Sequence, residues 1–123
     1  MKKILVVEDE KLIVNVLSQK FKKEGFSVFS AIDGLEGYKV ALEKHPDLIL
    51  LDIIMPRMDG LKMLSKLRTD PWGKTVPVVV LTNVDTASHF HDQILKENPV
   101  YYFIKANIPL KELSEKVKEL LNV

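Results

Sequence analysis

The residues best equipped for chemistry are Glu8, Asp9 and Asp52, and each stands at the end of an apolar run. Ile4-Leu5-Val6-Val7 runs into Glu8-Asp9, and Leu48-Ile49-Leu50-Leu51 runs into Asp52. Continuous apolar runs read as strands covered on both faces, and such strands pair in parallel when helices alternate with them. The three carboxylates would then gather at one end of one sheet. Two unit charges 4 Å apart repel by about 4 kcal/mol at an effective dielectric of 20, so the cluster needs either a bound proton or a cation. All-oxygen donors, with no histidine close in sequence, favour Mg²⁺ or Mn²⁺ over Zn²⁺. Mg²⁺ prefers few protein ligands, several waters and a phosphate oxygen, which poises the site for a phosphoryl group beside the metal. Two further runs end in suitable partners. Val78–Leu81 leads to the hydroxyl of Thr82, and Tyr101–Ile104 leads to the ammonium of Lys105. A transferring phosphoryl group spreads negative charge over its equatorial oxygens, and metal, lysine and hydroxyl could share it. The nucleophile must be a carboxylate, because the chain has no cysteine and no serine or histidine sits at these strand ends. Aspartyl phosphates are established covalent intermediates, and Asp52 is the candidate.

The elements that must bring these residues together alternate along the chain. Strands are expected at Lys3–Val7, Ser27–Ala31, Leu48–Leu51, Val78–Leu81 and Tyr101–Ile104. The first helix spans about Lys11–Lys23, with Leu12, Ile13, Val16, Leu17 and Phe21 on one stripe, and Glu24-Gly25 closes it. Asp33, with Glu36 three residues on, reads as the N-cap of a second helix that His45-Pro46 stops near Lys44. A third helix starts near Asp59-Gly60 and reaches about Arg68, and Asp70–Gly73 is a loop with Trp72 as an anchor on the core. The fourth covers about Thr86–Glu97 before the break at Asn98-Pro99. The fifth starts at Pro109 and carries Leu110, Leu113, Val117, Leu120 and Leu121 on one face. Right-handed crossovers leave few topologies for such a chain. The natural one is an α/β doubly wound three-layer sandwich, a five-stranded parallel sheet in order 2-1-3-4-5 with five helices. Ligands of that architecture bind beyond the carboxyl ends of the first and third strands, where Glu8, Asp9 and Asp52 fall.

Composition restricts the alternatives. The 123 residues suffice for one domain with its own core, and 46% apolar with 28% charged is ordinary for a globular protein. The formal net charge of +1, with both signs mixed along the chain, carries no nucleic-acid footprint. The absence of cysteine excludes disulfides and thiolate sites. The apolar run after Lys2-Lys3 is too short for a signal peptide, and no segment approaches membrane-spanning length, so a cytoplasmic location is expected.

The whole chain resembles the receiver domain of two-component response regulators, in the style of single-domain chemotaxis regulators. The matching pieces are Val7-Glu8-Asp9-Glu10, Leu51-Asp52-Ile53-Ile54-Met55-Pro56-Arg57-Met58-Asp59-Gly60, Leu81-Thr82 and Tyr102-Phe103-Ile104-Lys105. The resemblance implies that Asp52 is the phospho-acceptor and that Glu8 and Asp9 hold Mg²⁺ together with Asp52 and the Ile54 backbone carbonyl. It makes Thr82 the switch hydroxyl, Tyr102 the switch aromatic and Lys105 the phosphate-binding lysine. The implied partners are a histidine kinase or phosphotransfer protein as donor and a downstream protein target in trans, with no direct contact to nucleic acid or membrane and a monomeric unphosphorylated state. Residues 1–123 are expected to be one receiver domain with no output domain, catalysing its own Mg²⁺-dependent phosphorylation and dephosphorylation without turning over an external substrate. In that family the residues two beyond the acceptor and two beyond the switch threonine flank the path of the hydrolytic water; here they are Ile54 and Val84, both apolar.

Three departures and several alternatives accompany this reading. Ala106 follows Lys105 where the family usually has proline, Asn83 follows Thr82 where a smaller residue is common, and Asn98-Pro99-Val100 replaces a Gly-Ala-type turn. A trans bond is expected at Lys105–Ala106, since a cis non-proline bond costs about 3–4 kcal/mol. Asp9 alone could be a helix N-cap, and Asp59-Gly60 reads as turn and cap rather than chemistry. The main alternative function is a pseudo-receiver, a docking module without phosphotransfer. An aspartyl-phosphate phosphatase would want Asp-x-Asp where this chain has Glu8-Asp9-Glu10, and a flavodoxin-like cofactor site would want a Ser/Thr/Gly-rich loop there.

Overall fold

In the computed structural model, which describes all 123 residues, the chain runs β1 (Lys3–Val7), α1 (Lys11–Lys23), β2 (Ser27–Ala31), α2 (Gly34–Lys44), β3 (Leu48–Leu51), α3 (Gly60–Leu67), β4 (Val78–Thr82), α4 (Val84–Lys96), β5 (Tyr101–Ile104), a short 3₁₀ turn (Lys105–Asn107) and α5 (Leu110–Leu121). The strands form one parallel sheet in the order β2-β1-β3-β4-β5, the expected doubly wound sandwich. Side chains alternate across the sheet with period two, so each strand feeds two cores. Leu5, Val7, Ile49, Leu51, Val78 and Val80 face α2, α3 and α4, where Ala41, Met63, Leu64 and Ile94 meet them. Ile4, Val6, Leu48, Leu50, Val79 and Leu81 face α1 and α5, where Leu17, Phe21, Leu113 and Val117 close the second layer. Burial on both faces explains why β1, β3 and β4 carry uninterrupted apolar runs.

Helix ends follow local chemistry. Asp33 caps α2 by accepting the Glu36 N–H at 2.8 Å, and Asp59 caps α3 by accepting the Lys62 N–H at 2.8 Å. Gly25, at φ +97°, takes the left-handed turn after α1, which a residue without a Cβ adopts at no steric cost. Asn83 proves to be the N-cap of α4, its side chain accepting the Thr86 N–H at 2.9 Å. That cap moves the helix start back to Val84, two residues before the position read from the sequence, and lets β4 extend through Thr82. Pro109 is the N-cap of α5 rather than its first residue. Trp72 is an anchor as expected: its ring stacks on His45, 4.4 Å between centroids and 7° between planes, and packs on the α2–α4 core.

The stripe on α1 needs correction. Leu17 and Phe21 are buried, but Leu12 is 80% and Val16 52% exposed. Only α5 and the sheet cover this helix, and their arc is narrower than the apolar stripe. The uncovered residues form an open groove with Ile13, Ile108 and Leu110 beside Lys105. The two halves of the stripe should therefore respond differently to truncation. Leu17→Ala is expected to cost about 2–5 kcal/mol, the range for buried leucines, and Leu12→Ala to stay within about 0.5 kcal/mol. Urea denaturation of the two variants reads the difference, and equal losses would contradict the burial assigned here.

Candidate functional site

The register sets the site. Val7 pairs with Leu51, so the residues that follow, Glu8 and Asp52, leave adjacent strands side by side. The Asp52 N–H donates to the Val7 carbonyl and the Glu8 N–H to the Ala31 carbonyl, both at 3.0 Å, extending the ladders one residue past the strands. Thr82 pairs with Ile104, which places Lys105 one step beyond the threonine. Gly60 is required here, because a Cβ at that position would collide with the Asp52 carbonyl oxygen. Its N–H donates to the Ile53 carbonyl at 2.7 Å, folding the β3–α3 loop under the acceptor.

At the centre lies the Lys105 ammonium. Its Nζ donates to Glu8 Oε1 at 2.5 Å and to Asp52 Oδ2 at 3.0 Å. The second Asp52 oxygen, Oδ1, accepts the Ile53 N–H at 2.8 Å, and Glu8 Oε2 accepts the Glu10 N–H at 3.2 Å. Glu8 and Asp52 are 3% and 7% exposed, so the ammonium neutralises two carboxylates that water hardly reaches. One cation cannot balance both. Burial foremost, with the Asp52 charge adding to it, raises the Glu8 pKa to about 7 in spite of the lysine. The two carboxylates raise the Lys105 pKa against the effect of its own burial.

Asp9 completes the set. Its side chain is exposed, and one oxygen each from Glu8, Asp9 and Asp52 lie within 4.8 Å of one another. The N-cap of α1 is Glu10, which makes no side-chain cap bond, so the alternative reading of Asp9 as a cap does not hold. The Lys105 Nζ already occupies the point between Glu8 and Asp52 where positive charge is most favourable. The three carboxylates, one of them exposed at Asp9, fit a small hard cation by their chemistry.

Thr82 and Tyr102 lie on the other side of the acceptor. Thr82 is fully buried, and its Oγ1 has no hydrogen-bond partner. A buried hydroxyl without a protein partner costs about 1–3 kcal/mol unless a water or ligand satisfies it, which makes Thr82 a candidate for a functional role. Tyr102 is half-buried on the same face of the sheet, its hydroxyl donating to the Ala87 carbonyl of α4 at 3.3 Å. Burial raises its pKa. The Lys105–Ala106 peptide is trans, since no cis bond occurs in the chain. The lysine begins a 3₁₀ turn and still reaches Asp52, so the missing proline has not turned it away. Asn83 is exposed and occupied as a cap, and does not crowd the site. Ile54 and Val84 are 51% and 59% exposed at the rim.

One residue of this neighbourhood, Arg57, and its contact with the Asp33 cap escaped the sequence reading. Arg57, with φ +63°, donates from Nε to Asp33 Oδ2 at 2.6 Å. Asp33 is buried, and despite that burial the Glu36 N–H and the Arg57 guanidinium bring its pKa below the ordinary carboxylate value. The Met-Pro-x-Met-Asp-Gly run signals a tight loop, but no local signal announces a contact 24 residues apart in sequence.

The family model described as the response regulator receiver domain matches residues 4–118. The chain belongs to that family. Curated relatives agree. A stretch of 93 residues, 76% of the chain, is 42% identical to an uncharacterised transcriptional regulatory protein, YclJ, of Bacillus subtilis. Another of 84 residues, 68% of the chain, is 40% identical to the alkaline phosphatase synthesis transcriptional regulatory protein PhoP of the same organism. The matched segments span only 38% and 34% of those proteins. Among solved structures, a Francisella response regulator receiver domain superposes with a TM-score of 0.86 at 29% identity, covering 99% of this chain and 98% of that one. The chemotaxis response regulator CheY4 of Vibrio cholerae shares the fold, with a TM-score of 0.87 at 23% identity and 98% coverage of both chains. So does a receiver domain of a Pseudomonas aeruginosa sensor histidine kinase with a magnesium ion in its active-site cleft, at a TM-score of 0.88 and 24% identity over 99% of this chain and 98% of that one. As a receiver domain the protein is part of two-component signalling, and none of its helices is long and apolar enough to cross a membrane.

The Glu8 environment predicts how protein stripped of divalent cations responds to pH. A folded-state pKa of about 7, above the ordinary 4.5, means that the fold favours the protonated form. That contribution is complete below the unfolded value and is lost as pH rises through the folded one. Melting temperature in a chelator should therefore fall between pH 4.5 and 7, and fall less in Glu8→Gln. Parallel pH profiles for the two proteins would contradict this account of the site.

Proposed function

We propose that this receiver domain is a phospho-accepting switch in which Asp52 takes a phosphoryl group from a histidine kinase or phosphotransfer protein. The observation that carries the reading is the Lys105 ammonium seated against Asp52 Oδ2 while Thr82 Oγ1, buried nearby, lacks a partner. An acyl phosphate on Asp52 offers new oxygens to both. Mg²⁺, with Mn²⁺ as a substitute, would be held by Glu8, Asp9, Asp52 and the Ile54 carbonyl, and would supply the positive charge that screens the incoming phosphoryl oxygens. With that charge present, Lys105 is free to leave Glu8 and turn to the phosphoryl group. Thr82 shifts toward the same group. The Asn83 cap and α4 begin immediately after it, so their position follows, and the Tyr102 hydroxyl must exchange its Ala87 contact. The result is a two-state surface over α4, β5 and α5, biased by a local charge event, for a protein target to read. The donor must approach Asp52 from solvent, and the apolar groove along α1 beside Lys105 is the face on which it would seat. Charge composition and the carboxylate site support a protein partner rather than nucleic acid, and the work suits a cytoplasmic protein.

Intact mass after treatment with acetyl phosphate and Mg²⁺ tests the assignment. The wild type should gain one phosphoryl mass and Asp52→Asn none, because an amide cannot serve as the acceptor. Lys105→Ala should be labelled but should lose most of the phosphorylation-induced change in the amide spectrum of α4 and β5. Labelling of Asp52→Asn would overturn Asp52 as the acceptor, and no labelling of the wild type would favour the docking-module reading instead.

A second prediction concerns lifetime. Loss of an acyl phosphate needs an in-line water, and a polar side chain nearby can orient it. The exposed rim residues Ile54 and Val84 have no side-chain hydrogen-bonding groups, so self-hydrolysis is expected to be slow. Ile54→Asn combined with Val84→Glu should speed decay severalfold, about 1 kcal/mol of barrier, measured after removal of the donor. Faster decay in the wild type than in the double variant would overturn this.

A further inference from the structure

Arg57 occupies a backbone position that does not suit it. Its φ is +63°, and the Met58 N–H donates to the Pro56 carbonyl at 2.8 Å. The two together describe a three-residue γ-turn centred on Arg57 in the rarer, strained hand. Glycine would adopt this conformation without steric cost. The arginine side chain is largely exposed, yet its Nε is fixed 2.6 Å from a buried carboxylate oxygen of Asp33. The other oxygen of Asp33 caps α2, so both have assigned roles.

The contact is one of a pair between the same two loops. The Gly34 N–H donates to the Met58 carbonyl at 2.8 Å, and a Cβ on Gly34 would strike that carbonyl oxygen. Asp33-Gly34 thus grips Arg57-Met58 by one ion pair and one backbone hydrogen bond. The gripped loop starts at Asp52 and Ile54. The gripping segment follows Ala31, whose carbonyl holds the Glu8 N–H. One clamp therefore relates the loop bearing the acceptor to the strand end bearing the acidic pair.

We propose that the Arg57–Asp33 ion pair is a positioning device for the metal site, holding the β3–α3 loop so that the Ile54 carbonyl and the Asp52 carboxylate face Glu8 and Asp9. The proposal rests on reading those residues as the metal site. Arg57 touches neither metal nor phosphoryl group; it acts through the turn it anchors. Partners of this kind, one step removed from the ligands, characteristically change metal affinity by about 10–100-fold when lost.

Arg57→Gly removes the ion pair and relieves the positive-φ backbone together, so weaker Mg²⁺ binding without lower stability marks positioning rather than strain. In calorimetric titrations with Mg²⁺ it should bind about tenfold more weakly than the wild type, while the melting temperature without metal is unchanged or higher. Asp33→Asn keeps a competent cap and should weaken Mg²⁺ similarly, and the double variant should be no worse than the singles, as expected for one shared interaction. Arg57→Lys should recover part of the loss. Hydrogen exchange without metal gives a readout independent of the ion: the Gly34 and Met58 amides of Arg57→Gly should lose about tenfold in protection, with the core strands unchanged. Wild-type Mg²⁺ affinity in Arg57→Gly, or losses that add in the double variant, would overturn the clamp. A wild type that binds no Mg²⁺ would overturn the metal reading on which it rests, and exchange would still decide whether the ion pair holds the loop.

Discussion

The structure around the sheet edge depends on a shortage of positive charge. Glu8 and Asp52 leave neighbouring strands in register and are almost fully buried, and the Lys105 ammonium lies between them. Buried charges persist only when they are paired and hydrogen-bonded, and a single ammonium shared by two carboxylates is the smallest arrangement that meets this condition. It meets it incompletely, as the raised pKa of Glu8 shows. On the proposed reading, a site left short of cations attracts a divalent ion, and the ion would release the lysine from where it sits. The resting arrangement and the responsive one thus follow from the same imbalance.

The surrounding fold limits how that imbalance can be relieved. Two apolar layers hold the strands, so the strand ends cannot spread apart, and Gly60 and Gly34 let the loops approach more closely than a side chain would permit. The elements assigned to the proposed switch lie on one side. Thr82, the Asn83 cap and the start of α4 are consecutive, and Tyr102 ties β5 to α4 through a single hydrogen bond. A small displacement at Thr82 has a short covalent route to a helix and a neighbouring strand. Packed elements tend to settle in discrete arrangements rather than deform continuously.

Much of this was legible in the chain. Uninterrupted apolar runs such as Leu48–Leu51 revealed doubly covered strands, and their spacing implied the crossovers and the sheet order. The acidic residues could be located because they follow those runs directly. Three features were not legible for separate physical reasons. The stripe on α1 showed which residues are apolar, but Leu12 and Val16 are exposed because coverage depends on how far α5 reaches, which is a tertiary matter. The role of Asn83 was hidden because a polar residue after Thr82 suggests the site as readily as a helix cap. The Arg57–Asp33 pair joins loops distant in sequence, and an arginine at positive φ has no local signature. The reach of Lys105 was open in another sense: without proline after it the direction of the side chain was undetermined, and the 3₁₀ turn at Lys105–Asn107 supplies that direction.

The central claim is that Lys105 neutralises Glu8 and Asp52 only until a metal and a phosphoryl group take over. A crystal structure of the protein with Mg²⁺ and beryllofluoride, a tetrahedral mimic of an acyl phosphate, tests it most directly. The account predicts Mg²⁺ among Glu8, Asp9, Asp52 and the Ile54 carbonyl, and beryllofluoride on Asp52. It predicts that the Lys105 Nζ moves from its 2.5 Å contact with Glu8 to a fluorine, and that Thr82 Oγ1 gains its missing partner from another. A structure with beryllofluoride on Asp52 but Lys105 still bonded to Glu8 and Thr82 still unpartnered would contradict it.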